Sequence, residues 1–315
     1  MGASVSRRAW AYARYAGAAA ALAVIVRQLG TGPFRDGLRA LDATALAAAA
    51  GIGVLTTICC AWRWTIVARG LGVQLSLPAA VAAYYRSMFL NLTLPGGVIG
   101  DVHRGVSHGR GAGDVSRGLR AVAWERTAGQ VVQALLTLVI LLALPSPVRS
   151  FVGPVAIAVV AAAIVVVVLV ERVRPGGRSW WARARRTAAR DVRAGLLARR
   201  ALPVIALTST VVVLGHAITF LVAARTAGVT APPLEMLPLA MLAMLGMVVP
   251  GIAGWGPREG AAAWVFGAAG LGADQGVATA VVYGVMALVA SLPGALVLLG
   301  EGLASAVRTD GVADA

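Results

Sequence analysis

Lysine is absent from this 315-residue chain, and all 28 basic residues are arginine. Ala, Gly and Val are abundant, which points to a GC-rich genome and weakens any argument from Arg over Lys at one position. Acidic residues are also scarce, 13 in all, and charged residues make up 13% of the chain. With 59% hydrophobic residues and a mean hydropathy of +0.81, a soluble domain of this size is excluded. Cysteine is confined to Cys59 and Cys60. They are adjacent and lie in an apolar run, which excludes a disulfide framework or thiolate metal site and leaves them as small packing residues. No P-loop spacing occurs, so ATP is not expected to drive the protein directly. The apolar run after Arg7 and Arg8 has no small-residue cleavage site and reads as a signal anchor.

What is present are long apolar runs, several beyond the roughly 18 residues that mark a spanning helix. They are continuous rather than alternating, which argues against a barrel. The expected fold is all-α, a polytopic helical membrane protein. Full spans are expected near 15–29, 43–61, 127–144, 151–170, 202–223 and 276–299, six in all. A helical stretch over 78–92 and a shorter pair over 237–249 and 261–270 flank two interruptions. The expected organisation is one membrane domain over 1–305, with halves at roughly 43–170 and 201–300, joined by a basic loop at 171–200 and followed by a disordered tail, 306–315.

The net charge of +15 is unevenly placed. The 171–200 loop carries ten arginines against Glu171 and Asp191. By the positive-inside rule this loop, the N-terminus and the 63–69 region are cytoplasmic, and the 30–42, 145–150 and 225–235 loops are external. As a helix, the loop places Trp181, Ala184, Ala188 and Val192 in one stripe, with Arg183, Arg186, Arg190 and Arg193 opposite. That is an interfacial helix on an anionic leaflet or a solvated basic loop. Anionic membrane lipid, not nucleic acid, is the expected partner, and a multi-pass plasma-membrane location with cytoplasmic termini is expected.

The interruptions carry the chemistry. "LPGGVIGDVHRG" over 94–105 and "VPGIAGWGPREG" over 249–260 each combine Pro-Gly, further Gly and Arg. Pro95, Gly96 and Gly105 recur 155 positions later as Pro250, Gly251 and Gly260. Paired interrupted helices in two halves point to a transporter-type site and an inverted repeat, the plainer alternative being two ordinary loops between spans. Proline removes a donor and glycine loosens the helix, so both segments break. Irregular backbone at membrane depth is tolerated where it lines a cavity or is buried in protein. The new helix N-termini suit an anion, and Arg104 or Arg258 adds bidentate bonds to phosphate. If both segments are re-entrant, six full crossings remain; full crossing by both is the competing topology. Glu125–Arg126, in "AWERTAGQ", is either a cavity-facing pair or an interfacial one, and Arg258–Glu259 poses the same choice. Asp101 neutralises Arg104 or carries a proton. The spacing of Asp101, His103 and His108 matches no metal motif, and no metal or cofactor is expected. His216 reads as a satisfied packing residue, and the tryptophans read as interfacial belts.

Together "NLTLPGGVIGDVHRG", "AWERTAG" and "PGIAGWGPREGAAAW" resemble the lysylphosphatidylglycerol synthase transmembrane-region family, flippase-like membrane proteins, over nearly the whole chain. The resemblance implies a helical bundle with inverted, partly re-entrant elements. It also implies movement of an anionic or aminoacylated phospholipid, or another lipid-linked head group, between leaflets. The positions that match are Pro95, Gly96, Gly97, Gly100, Asp101, Arg104, Glu125, Arg126, Pro250, Gly251, Gly254, Arg258 and Glu259. Ile252 replaces the family's usual second glycine, and Gly284 follows Tyr283 where an Arg is often found. The chain ends at Ala315, so the soluble aminoacyl-transfer domain is expected to be absent and no enzymatic activity is expected. The leading expectation is a flippase-like transporter, with Arg104, Arg126 and Arg258 as phosphate ligands and Asp101, Glu125 and Glu259 holding them or binding a cationic head group. The alternatives are an accessory subunit for a separate synthase or glycosyltransferase, and a small membrane transferase or hydrolase.

Overall fold

The computed structural model describes residues 32–94, 97–146, 180–248 and 256–301, with scattered residues between 149 and 161. All regular structure among the described residues is helical. The helices are α1 (Gly32–Arg39), α2 (Ala43–Gly70), α3 (Leu77–Thr93), α4 (Ile99–Gly111), α5 (Val115–Ala143), α6 (Trp180–Asp191), α7 (Ala201–Thr226), α8 (Pro233–Leu245), α9 (Pro257–Ala268) and α10 (Ala273–Ser291).

Local chemistry sets the ends. Asp42 caps α2 by accepting from the Ala45 N–H at 2.6 Å, and Asp114 caps α5 by accepting from the Arg117 N–H at 2.9 Å. Among the described residues four helical stretches are long and apolar enough to cross a membrane: α2, α5, α7 and α10 with its continuation to Glu301, of 28, 29, 26 and 29 residues. Each rises about 40 Å, beyond the roughly 30 Å hydrocarbon core. Exposed apolar residues form stripes at helical spacing: Val131, Leu135, Val139 and Leu142 on α5, and Leu288, Leu292, Leu296 and Leu299 along the last stretch. In water such stripes are a liability; in lipid they are the solvated face. The chain is a helical membrane protein.

The buried faces are lined by small residues. Gly53 meets Ala290, and a Cβ on Gly215 would come within 2.6 Å of Thr56. Such contacts let helix backbones approach where the hydrophobic effect gives little drive. Helices α2 and α7 run antiparallel. Ala45 at the start of α2 and Ala224 at the end of α7 line one apolar cavity of about 410 Å³, while Gly70 at the other end of α2 packs on Ala194 and Gly195, just before α7.

Several expectations change. The helix expected over 43–61 continues to Gly70, and Arg63 is buried inside the bundle rather than flanking it. The helix expected from 127 starts at Val115, so Glu125 and Arg126 lie in its interior turns instead of opening it. The expected spans at 15–29 and, apart from scattered residues, 151–170 fall outside the described residues, as do Pro95, Gly96, Pro250, Gly251, Ile252 and Gly254.

A repeated element order is present, with a different register from the sequence motif. Ala43 and Ala201, Ile99 and Pro257, and Val115 and Ala273 open corresponding helices, each pair 158 positions apart. The Pro-Gly motifs lie 155 apart because the second break holds three more residues before its helix begins. In the structural register Gly118 corresponds to Gly276. Both are contact points on the preceding short helix: Gly118 on Gly109, and Gly276 on Ala262 and Ala263.

Within the basic segment α6 is helical, followed by a π turn over Val192–Leu196. Arg183, Arg185, Arg190 and Arg193 are exposed, and Asp191 is buried. Of the expected apolar stripe, Ala188 and Val192 are half-buried and Ala184 is exposed, while the Trp181 side chain lies outside the described set. Asp191 anchors the segment to α5, accepting from Arg120 Nε at 2.8 Å and Trp124 Nε1 at 3.1 Å.

Candidate functional site: a buried arginine–carboxylate network

The site begins with the first break. Helix α3 stops at Thr93, Leu94 turns extended, and Gly97 takes a φ of +64°, a conformation that favours glycine. Helix α4 then starts against α3. Gly100 packs so closely on the Ser87 backbone that a Cβ there would collide with it. The residue before α4, Val98, has no capping side chain. Asn91 from α3 serves instead, with its Oδ1 accepting from the Gly100 N–H at 2.8 Å. The first turn of α4 also carries Asp101, where the helix dipole favours a carboxylate.

Asp101 gathers four side chains. Its Oδ1 accepts from Ser87 Oγ at 3.0 Å and from Arg104 Nη2 at 3.0 Å. Its Oδ2 accepts from Asn91 Nδ2 at 3.0 Å and pairs with Arg126. Arg104 passes the network on, with Nη2 donating to Glu125 Oε2 at 2.8 Å. The other oxygen of Glu125 takes Arg63 Nε at 3.0 Å and Nη2 at 2.5 Å. Arg63 Nη1 also donates to Ser209 Oγ on α7 at 2.9 Å. The Arg104 guanidinium lies 4.6 Å from the Trp64 ring centroid and 4.2 Å from that of Tyr84, a cation–π arrangement.

The electrostatics follow by counting. Arg63, Arg104 and Arg126 bring three positive charges, and Asp101 and Glu125 two negative ones. The deep members, Arg63 and Arg104 against Asp101 and Glu125, balance, and the one excess positive charge is that of Arg126. Glu125 and the Arg104 side chain are fully buried, whereas the Arg126 side chain is 42% exposed. The network therefore reaches the bundle surface through Arg126.

The second break builds a smaller version. Glu259 occupies in α9 the position that Asp101 occupies in α4, third from the helix start. Its Oε2 accepts from the Gly256 N–H at 2.6 Å, and its Oε1 accepts from Arg258 Nε at 2.9 Å and Nη2 at 2.5 Å. Where α5 carries Glu125, α10 carries Tyr283, whose ring lies 5.5 Å from the Arg258 guanidinium and whose hydroxyl meets His216 Nδ1 at 3.0 Å. His216 thus has a partner in the packed interior.

Of the residues singled out by sequence, Asp101, Arg104, Glu125 and Arg126 converge in one network. Arg258 and Glu259 form their own pair on α9. Arg104 and Arg258 do not occupy matching places in their helices, Arg104 being sixth in α4 and Arg258 second in α9. The helix N-termini are not open anion seats, since Asp101 and Glu259 already supply the carboxylates they favour. Asp101 is buried while His103 is exposed, so they do not converge on a metal. Among the described residues no group of three or more metal-type ligands occurs.

Sequence reading missed Arg63, Asn91, Ser87 and Tyr84. An arginine inside a 28-residue apolar helix was the available signal for Arg63. It also missed a cavity of about 790 Å³ at the Gly70 end, lined by Trp64, Arg86, Arg104, Ser107, His108 and Glu301 among others. Arg86 on α3 pairs there with Glu301, 215 residues away.

An apolar helical bundle that buries an arginine–carboxylate network beside an interrupted helix pair defines a polytopic membrane protein with ionisable groups in its interior. A family model described as the lysylphosphatidylglycerol synthase TM region matches residues 11–294, and the chain belongs to that family. Comparisons with curated proteins and with solved structures find no match.

Proposed function

We propose that this protein is a flippase-like transporter. It moves an anionic or aminoacylated phospholipid, or another lipid-linked head group, between leaflets, and it is not itself an enzyme. The observation that carries this reading is the network of Arg63 and Arg104 against Asp101 and Glu125 buried in an apolar bundle, with the excess positive charge on Arg126 at its half-exposed edge. Ionisable groups at such depth are costly and usually line a substrate path. A phosphate can replace a carboxylate on a guanidinium with similar geometry, so the network can exchange partners without leaving a bare charge. Arg126, the exposed member, is the entry point, and acyl tails remain in lipid alongside the apolar stripes.

On this reading the two halves form an inverted repeat with re-entrant broken segments within six spans. The antiparallel course of α2 and α7 supports that arrangement. The Gly70 end, which carries the arginines of α6, faces the cytoplasm of a plasma membrane, with both termini on that side. Membrane lipids are then the partners, and a gradient or simple equilibration supplies the drive.

The test is leaflet exchange of labelled phosphatidylglycerol in proteoliposomes. Exchange faster than in protein-free vesicles, with the lipid chemically unchanged, is expected. Lipid turnover by pure protein would favour a transferase. Absence of exchange for every lipid offered, together with a tightly bound synthase or glycosyltransferase in pull-downs, would favour an accessory subunit.

A further inference from the structure

Six buried side-chain N or O atoms lack a hydrogen-bond partner among the described residues. Four of them, Trp64 Nε1, Arg86 Nε, Arg104 Nη1 and His108 Nε2, belong to residues lining the cavity of about 790 Å³. Unpaired buried groups cost free energy until something bonds them, so four of them on residues that line one cavity mark a polar ligand, which reaches them once the side chains that now close them off move aside. Trp Nε1 and both arginine atoms are donors only; His108 Nε2 donates in the matching tautomer or when protonated. Two guanidinium groups and an indole N–H among its lining residues call for an anion with several acceptor oxygens.

Glu301 sharpens the chemistry. Among the described residues it is the only carboxylate lining the cavity, its side chain is 53% exposed, and it pairs with Arg86 Nη1. Arg104 uses Nε and Nη2 for Asp101 and Glu125, leaving Nη1. Arg86 thus already holds a carboxylate that is half in solvent and displaceable. The volume falls within the roughly 300–1,000 Å³ of small-molecule sites and suits a phosphodiester head group.

We propose that this cavity is a phosphate seat at the Gly70 end of the bundle, with Arg86 and Arg104 as its cationic wall, and that Glu301 competes with the phosphate for Arg86. The proposal rests on the transport reading above only in assigning the phosphate to a lipid head group. The shared chemistry is a phosphate oxyanion, free or esterified.

The test is calorimetric titration of the purified full chain in uncharged detergent, with water-soluble short-chain phosphatidylglycerol and, separately, inorganic phosphate. Wild type is expected to bind the short-chain lipid. Glu301→Gln is expected to tighten binding roughly fivefold, because an exposed competing carboxylate is worth at most about that much. Arg86→Gln is expected to weaken it by about tenfold or more. Competition by inorganic phosphate would support a seat that reads the phosphate alone; binding of the lipid without such competition would support one that reads the esterified head group. If Glu301 were merely structural, its substitution would lower the melting temperature and leave affinity equal or weaker, which would overturn the proposal. Failure of both ligands to bind wild type would also overturn it. Should Arg86→Gln fail to fold, Glu301→Gln still decides. Lipid exchange with unaltered Glu301→Gln binding would sink the seat and spare the transport reading; binding without exchange would do the reverse.

Discussion

Replacing Glu125 with Gln removes the carboxylate that two buried arginines share. Arg63 and Arg104 contact it at 2.5 Å and 2.8 Å, and all three side chains are at most 5% exposed. Neutralising it leaves buried Arg63 and Arg104 opposed only by Asp101, a buried excess of one positive charge where there was none, besides the half-exposed Arg126. Breaking a buried pair from one side typically costs about 3–5 kcal/mol, because the remaining charge is uncompensated. Gln keeps an acceptor oxygen but turns an amide NH₂ toward a guanidinium, so we expect a loss of about 3 kcal/mol. Unfolding of purified protein in mixed micelles, followed by helical circular dichroism, measures it. Adding Arg63→Met restores the original charge excess, and the double variant should recover at least about 1 kcal/mol relative to additivity. A loss under about 1 kcal/mol for Glu125→Gln, or strict additivity with Arg63→Met, would refute the charge-balance argument.

Other expectations follow from the same geometry. Gly100→Ala should destabilise the protein by about 2–3 kcal/mol through collision with Ser87, whereas Gly97→Ala, with open space but a left-handed backbone, should cost only about 1–2 kcal/mol; the same unfolding assay ranks them. Asn91→Ala removes both the cap on α4 and a donor to Asp101, and a loss of about 1–2 kcal/mol is expected in that assay. Exchanging Arg183, Arg185, Arg190 and Arg193 for Gln should weaken attachment of a 180–200 peptide to anionic vesicles, and the wild-type peptide's attachment should fall with salt, both read by flotation.

The membrane class and the two breaks were legible because long apolar runs and Pro-Gly pairs act locally. Asp101, Arg104, Glu125 and Arg126 were legible as rare charges near a break. Arg63 was not: the apolar run was ended at it, and an arginine at a presumed helix end reads as an orientation signal. Only packing against α5 and α7 reveals it as the partner of Glu125 and Ser209. Asn91 and Ser87 look like ordinary helix polar residues until the chain reverses and lays α4 against them. The Arg86–Glu301 pair joins residues too far apart for any local pattern. The repeat was seen at 155 because prolines and glycines are conspicuous. The starts of α4 and α9 lie 158 apart, so Glu259, not Arg258, takes the helix position of a network residue, that of Asp101.

The most direct test of the central claim compares leaflet exchange of labelled anionic phospholipid in proteoliposomes containing wild type and Arg126→Gln, at matched folded protein. Arg126 is the exposed arm of the network, so its loss should leave the fold largely intact. The account predicts rapid exchange by wild type and a drop to near the protein-free rate in the variant. Equal exchange by both would contradict it.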